Sequence, residues 1–298
     1  MENGKVIALL IDAENVSPKY IKVILSEVSM YGTPAYKRIY GDWTTNEMSS
    51  WKKVLSEHNI QPIQQFRYTQ GKNASDSALI IDAMDILYAK NVDGFCLVSS
   101  DSDFTRLAAR LRESRMFVIG MGESKTPTAF KSACDSFKYL DVLMSMNKAA
   151  EADAEPAPAA PVKAAPAPKK ADKAEKQPEK AEKAEKSQRG AKKKADKQEK
   201  QEKAEPPAVH SEEELAGSFV PLAEIVEKIR EIIDYESDED GYMTLSQVGV
   251  MLSRLYADFD SRNYGFSKLH KLIDYTKAFE TRYQELPSGG KNLMIRNK

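Results

Sequence analysis

Four aspartates, Asp12, Asp76, Asp101 and Asp103, stand where their types and spacing could do chemistry. Asp12 follows the apolar run VIALLI at 6–11, and Asp101 and Asp103 follow FCLV at 95–98 after Ser99 and Ser100. Four carboxylates cannot crowd together as free anions: either some are protonated or a cation neutralises them. An all-oxygen set lacking histidine and thiolate favours Mg²⁺ or Mn²⁺ over zinc. His58 is the only histidine in residues 1–147 and lies far from these strand ends, so imidazole proton transfer is not expected. Metal-activated water is the better nucleophile, and a cation pair about 3.5–4 Å apart steadies both oxygens of a phosphodiester displacement. Asn15 would orient the scaffold or the water. On the simpler reading Asp103 only caps the helix that follows, but a cap needs one acid and here there are two.

The elements that must position these acids alternate. Residues 6–11, 35–40, 60–66, 95–98 and 116–121 read as strands, with a short last strand at 137–140. Between them run helical spacings: Ile21, Ile24, Leu25 and Val28 after Ser17–Pro18; Trp51, Val54 and Leu55; residues 74–89; Leu107, Ala108 and Leu111; and a helix opened by Thr126 and Pro127. Such alternation predicts an α/β fold, a mainly parallel sheet sandwiched by helices with right-handed crossovers. Its strand-to-helix loops then share one edge, where open sheets hold ligands. Asp76 shares a helix face with Leu79, Ile80 and Ala83. A charge on a buried stripe is costly unless paired, so Asp76 is expected at the rim. Asp82 and Asp85 are weaker candidates as mid-helix acids. Lys72, Arg106, Lys125 and Lys131 are candidate phosphate contacts, and Tyr40, Trp43 and Tyr68 candidate stacking rings.

The 298 residues carry 44 basic and 45 acidic side chains, but the balance shifts along the chain. Residues 1–147 hold 17 basic and 17 acidic, 148–211 hold 16 and 12, and 212–298 hold 11 and 16. The middle stretch of Ala, Pro, Lys and Glu lacks large apolar residues and is expected to be a disordered linker. Lys192, Lys193 and Lys194 there would make at most weak contact with polyanions. Cys96 and Cys134 read as small buried hydrophobes in a reducing compartment. No leader and no membrane-length apolar run is seen, so the expectation is a soluble, cytoplasmic protein.

Beyond the linker, Leu222, Ile225, Val226, Ile229, Ile232 and Ile233 space as a helix, as do Leu245, Val248, Leu252 and Leu255, and then Phe266, Leu269, Leu272 and Ile273. Residues 279–286 and 292–295 flank Ser288, Gly289 and Gly290 as a hairpin. Three helices and a hairpin suggest a small winged-helix α+β domain. Its charge is lopsided, with 2 basic and 11 acidic residues over 212–253 and 9 and 5 over 254–298. The later part holds the excess of basic charge, with Arg254, Arg262, Lys268 and Lys271 near the third helix and Arg296 on the hairpin.

Residues 1 to about 144 resemble a NYN domain, a branch of the PIN-like metal-dependent nucleases, through IDAENV, KNASDSALIIDAMD and VSSDSDF. The resemblance implies that Asp12, Asp76, Asp101 and Asp103 are acidic site residues, with Asn15 and Ser99 or Ser100 in support. TLSQVG, DFDSRNYGFSKL and the FE pair at 279–280 resemble the LOTUS (OST-HTH) domain, which implies an RNA-binding or protein-docking module whose RNA-facing part would be the basic stretch with Arg254, Arg262, Lys268, Lys271 and Arg296. The organisation expected is therefore a ribonuclease domain at 1–147, a linker at 148–211 and an RNA-binding domain at 212–298. The activity expected is metal-dependent endoribonuclease cleavage. One alternative is a noncatalytic RNA-binding regulator with the same acidic rim. A nucleotide-sugar transferase reading rests on the acid-x-acid triplet 101–103, but it leaves Asp12 and the carboxyl-terminal module without a role.

Overall fold

A computed structural model describes residues 4–66, 74–152, 219–285 and 290–298. Six strands form one parallel sheet: β1 (Lys5–Asp12), β2 (Gly32–Gly41), β3 (Gln61–Gln64), β4 (Gly94–Val98), β5 (Phe117–Gly122) and β6 (Ser136–Tyr139). Their order is β3-β2-β1-β4-β5-β6. The chain winds outward from β1 in one direction and then returns to its other side. The switch of direction lies between β1 and β4, the crevice where such sheets hold ligands.

The strands' apolar runs are explained by burial on two faces. In β1, Ile7, Leu9 and Ile11 enter one core while Ala8 and Leu10 enter the other. In β4, Cys96 and Val98 join the first and Phe95 and Leu97 the second, the period-two alternation of a strand. Helices α1 (Ile21–Tyr31), α2 (Ser49–His58) and α6 (Leu140–Ala152) cover the first face. Helices α3 (Ala74–Ala89), α4 (Thr105–Glu113) and α5 (Thr128–Ala133) cover the second. Full burial of each large aliphatic side chain favours the folded state by about 1.5–3 kcal/mol, so this two-faced core sets the rigidity of the rim. Cys96 and Cys134 are buried and unbridged, as expected.

At the rim Gly122 answers a close approach. A Cβ there would lie 2.6 Å from both the Ser99 carbonyl oxygen and Thr126 Oγ1. Its absence lets β5 end directly beside the segment that leads to Asp101.

Residues 219–298 build their own core from α7 (Leu222–Glu236), α8 (Leu245–Leu255) and α9 (Leu269–Thr276) on an antiparallel sheet. That sheet comprises β7 (Met243–Thr244), β8 (Phe279–Glu285) and β9 (Lys291–Asn297) in the order β7-β9-β8. Thr244 and Gln247 close a reciprocal capping box at the start of α8. A 3₁₀ turn at Ser261–Tyr264 ends on Gly265, whose φ of 83° is left-handed.

Several expectations change. The 137–140 strand is β6 at Ser136–Tyr139, and from Leu140 the chain enters α6, which runs to Ala152, past the expected boundary at 147. Its last turns are Ala-rich, and alanine is the best helix former. Strand β7 was not expected. The third helix begins at Leu269, with Phe266 in the preceding turn. The loop 67–73 with Tyr68 and Lys72, most of the linker with Lys192, Lys193 and Lys194, and the hairpin turn at 286–289 lie outside the described residues.

The described residues before and after the linker group into one compact unit. The segment at 257–264 lies against β6 and α1. The Phe137 amide donates to the Ala257 carbonyl at 2.7 Å, and Tyr139 Oη donates to Asp258 Oδ2 at 2.6 Å.

Candidate active site and nucleic-acid interface

Asp12 sits at the end of β1, 2 % exposed, held on every side. Its Oδ1 accepts from the amides of Glu14 (3.0 Å) and Asn15 (3.3 Å). Its Oδ2 accepts from Asn15 Nδ2 (2.8 Å) and Ser99 Oγ (2.8 Å). Burial pushes the Asp12 carboxyl up, and the hydrogen bonds from Asn15, Ser99 and Glu14 oppose that. Ser99, carried just past β4, also accepts from the Asp101 amide at 3.1 Å, so one hydroxyl couples both acidic segments. Ser100 instead ties down the end of β5, its Oγ accepting from the Glu123 amide at 2.9 Å.

Asp76, Asp101 and Asp103 converge in front of it. One carboxylate oxygen from each lies within 4.8 Å of the others. Asp76 is half-buried in the first turn of α3, Asp101 is partly exposed and Asp103 exposed. The cap of the turn at Ser102–Phe104 is Asp101, whose Oδ1 accepts from the Asp103 amide at 3.0 Å. The Asp76 carboxyl is pushed up to about 6, first by burial and then by the negative charges of Asp12, Asp101, Glu14 and Asp103. Asp12 acts on the trio through its field and stands outside the set that closes to 4.8 Å.

The donor set fits a hard divalent cation. Oxygen separations up to 4.8 Å are close to the roughly 4.2 Å between opposite ligands of Mg²⁺ bound at about 2.1 Å. The crowded carboxylates have a reason to take up positive charge, because burial already favours the protonated form of Asp76.

Sequence reasoning passed over Glu14 as a site residue, although it belongs to IDAENV. Ser75, 3 % exposed, donates to Glu14 Oε1 at 2.7 Å, so the start of α3 is pinned to the loop after β1. The run DAEN was the available signal; the serine partner 61 residues away was not legible.

Other candidates are placed differently. Asp82 binds Arg38 and Tyr40, so Tyr40 is a buried structural ring and no stacking platform. Trp43 Nε1 donates to the Ile63 carbonyl at 2.9 Å. Arg106 is exposed at the start of α4, and Lys125 pairs with Glu123 at 2.8 Å. Lys131 is buried and donates to Tyr139 Oη at 2.9 Å.

In the carboxyl-terminal part Arg254, Lys268 and Lys271 are exposed. Phe266 and Tyr275 pair beside α9 with ring centroids 5.0 Å apart, and Tyr275 is 55 % exposed. Arg296 pairs with Glu280 and lies over the Tyr242 ring, whose centroid is also 3.7 Å from the Arg282 guanidinium. Arg262, expected at the RNA face, is placed elsewhere. It forks onto both oxygens of Glu27 in α1 and also binds Asp260. Among the described residues no helix is long and apolar enough to cross a membrane.

Residues 6–141 match the NYN domain model and residues 221–289 the OST-HTH/LOTUS domain model. No curated protein matches the chain. Among solved structures, a protein of unknown function from Vibrio parahaemolyticus is similar at 17% identity and a TM-score of 0.40, over 47% of this chain and 94% of its own. An uncharacterized protein from Nitrosomonas europaea is 30% identical at a TM-score of 0.25, over 34% of this chain and 91% of its own. The six-stranded parallel sheet with its acidic rim is thus an NYN domain of the PIN-like nuclease superfamily, and the chain joins it to an OST-HTH/LOTUS domain, a type of module that binds RNA.

Proposed function

We propose that this protein is a divalent-metal-dependent endoribonuclease whose carboxyl-terminal domain grips the RNA. The observation that carries the reading is the convergence of Asp76, Asp101 and Asp103 at the switch point of an NYN sheet. Asp76, Asp101 and Asp103, with Asp12 behind them, would hold Mg²⁺ or Mn²⁺. Such a cation supplies charge neutralisation at a phosphodiester and a lowered pKa for water.

The chain's own groups do the positioning. Asn15 and Ser99 fix the Asp12 carboxylate, Ser99 and the Asp103 amide fix the Asp101 segment, and Ser75 ties Glu14 to the first turn of α3. Residues 1–147 carry no net charge, so the domain exerts little long-range pull on phosphates. Arg254, Lys268 and Lys271 supply that pull on the LOTUS domain, where Phe266 and Tyr275 offer rings for unpaired bases. Arg296, held by Glu280, is a weaker contributor.

The test is incubation of the purified full-length protein with labelled circular RNA in Mg²⁺, Mn²⁺ or chelator. Linear product with either ion and none in chelator is expected, since a circle has no end for an exonuclease. Saturable RNA binding without product under any ion would replace this reading by the noncatalytic regulator.

A further inference from the structure

Strand β6 is the last strand of the parallel sheet, and its outer edge is covered by the 257–264 segment of the LOTUS domain. The contacts form a ladder of complementary groups. Lys131 Nζ donates to Tyr139 Oη, which donates to Asp258 Oδ2, and Lys131 Nζ is itself 3.8 Å from that carboxylate. Lys138 Nζ donates to Asp260 Oδ2 at 2.6 Å, and Arg262 joins Asp260 to Glu27. Phe219 stands between Tyr139 and Tyr264, with centroids 6.0 and 5.5 Å away.

These are not rim contacts between solvated side chains. The Lys131 and Glu27 side chains are 7% exposed, and those of Lys138 and Asp260 12%. Charges this deeply buried are tolerated only when each is paired, and the ion-pair partners named here come from across the interface or from the same loop. An amide of the open edge strand is also satisfied by the Ala257 carbonyl, the usual need of an uncovered edge.

From this arrangement we infer that the LOTUS domain is a docked arm. Loop 257–264 locks it in cis onto β6, so this interface, and not the length of the chain between the two domains, sets the span from the RNA-gripping face to the acidic rim. Tyr139 ends β6 at the same edge at which Asp12 ends β1, three strand spacings away, or about 14 Å at about 4.8 Å per strand. That the arm's ligand is RNA rests on the proposed function; the docking does not, and its test needs no nuclease readout.

A specific protease site placed after residue 180 of the full-length chain is cut, and the nicked protein is run on size exclusion at about 0.1 M salt. The two pieces should co-elute as one species. Separation of the nicked wild type would overturn the inference. Lys138→Glu should separate the pieces while leaving the circular dichroism of the uncut protein unchanged. Should Lys138→Glu not fold, Lys138→Met removes the charge at similar size and should weaken association at least tenfold. Undiminished co-elution of a folded Lys138 variant would show that another surface holds the domains, and would overturn the assignment to this loop.

Discussion

Asp76 is the residue at which the site's electrostatics are most exposed to experiment. Burial and then the neighbouring carboxylates push its carboxyl up to about 6 from the ordinary 3.8, so folding favours the protonated form. The sign follows from linkage: its contribution is fully present below about pH 4 and is lost as the pH rises through about 6. In chelator above pH 6 the wild type therefore holds its least comfortable charge. Asp76→Asn should raise the thermal midpoint there, lose that advantage below pH 4, and abolish the rise that Mg²⁺ or Mn²⁺ gives the wild type. An unchanged midpoint in chelator at pH 7.5 would contradict the crowding of these carboxylates. Asp12, Asp76, Asp101 and Asp103 were legible in the sequence because each follows a strand or opens a helix, where residue type and element boundary coincide. Arg262 was not, because its partner Glu27 lies 235 residues away and no local pattern distinguishes a docked arginine from a solvated one.

At the scale of elements, the rim depends on how closely β5 can end beside the β4 loop. Gly122→Ala would set a methyl 2.6 Å from the Ser99 carbonyl oxygen and Thr126 Oγ1. Relief requires displacement of the segment that carries Ser99 and Asp101, at a cost of about 1–3 kcal/mol. Urea unfolding should show that loss, and cation affinity should fall with it; wild-type values for both would mean that the rim adjusts freely. The helical and strand periods anticipated the sheet and α3 well, the latter matching at Ala74–Ala89. Helix α6 and β7 escaped for opposite reasons. The end of α6 has linker-like composition, whereas β7 is two residues long and exists only by pairing with β9.

At the scale of the whole molecule, docking makes acid stability a property of the interface. Burial alone would raise the Asp260 carboxyl, but hydrogen bonds and charge from Arg262 and Lys138 outweigh it and hold it well below the ordinary carboxylate range. A depressed carboxyl contributes stability above its unfolded value, near 3.8, and that contribution fades as the pH falls below it. Asp260→Asn should cost about 3 kcal/mol or more at neutral pH, because it strands Lys138 beside a neutral group. The difference from wild type should narrow below about pH 4 in thermal melts. A constant difference down to pH 2 would mean that Asp260 acts through shape and not charge. The central claim remains the chemistry at the acidic rim, and Asp101→Asn addresses it most directly. Asparagine caps as well as aspartate, so the Asp103 amide keeps its acceptor and the fold is preserved. Single-turnover cleavage of labelled RNA in Mg²⁺ should fall on the order of 100-fold or more in this variant, with its circular dichroism spectrum unchanged. Cleavage at the wild-type rate, or equal rates for the wild type in Mg²⁺ and in chelator, would contradict a metal-dependent nuclease site.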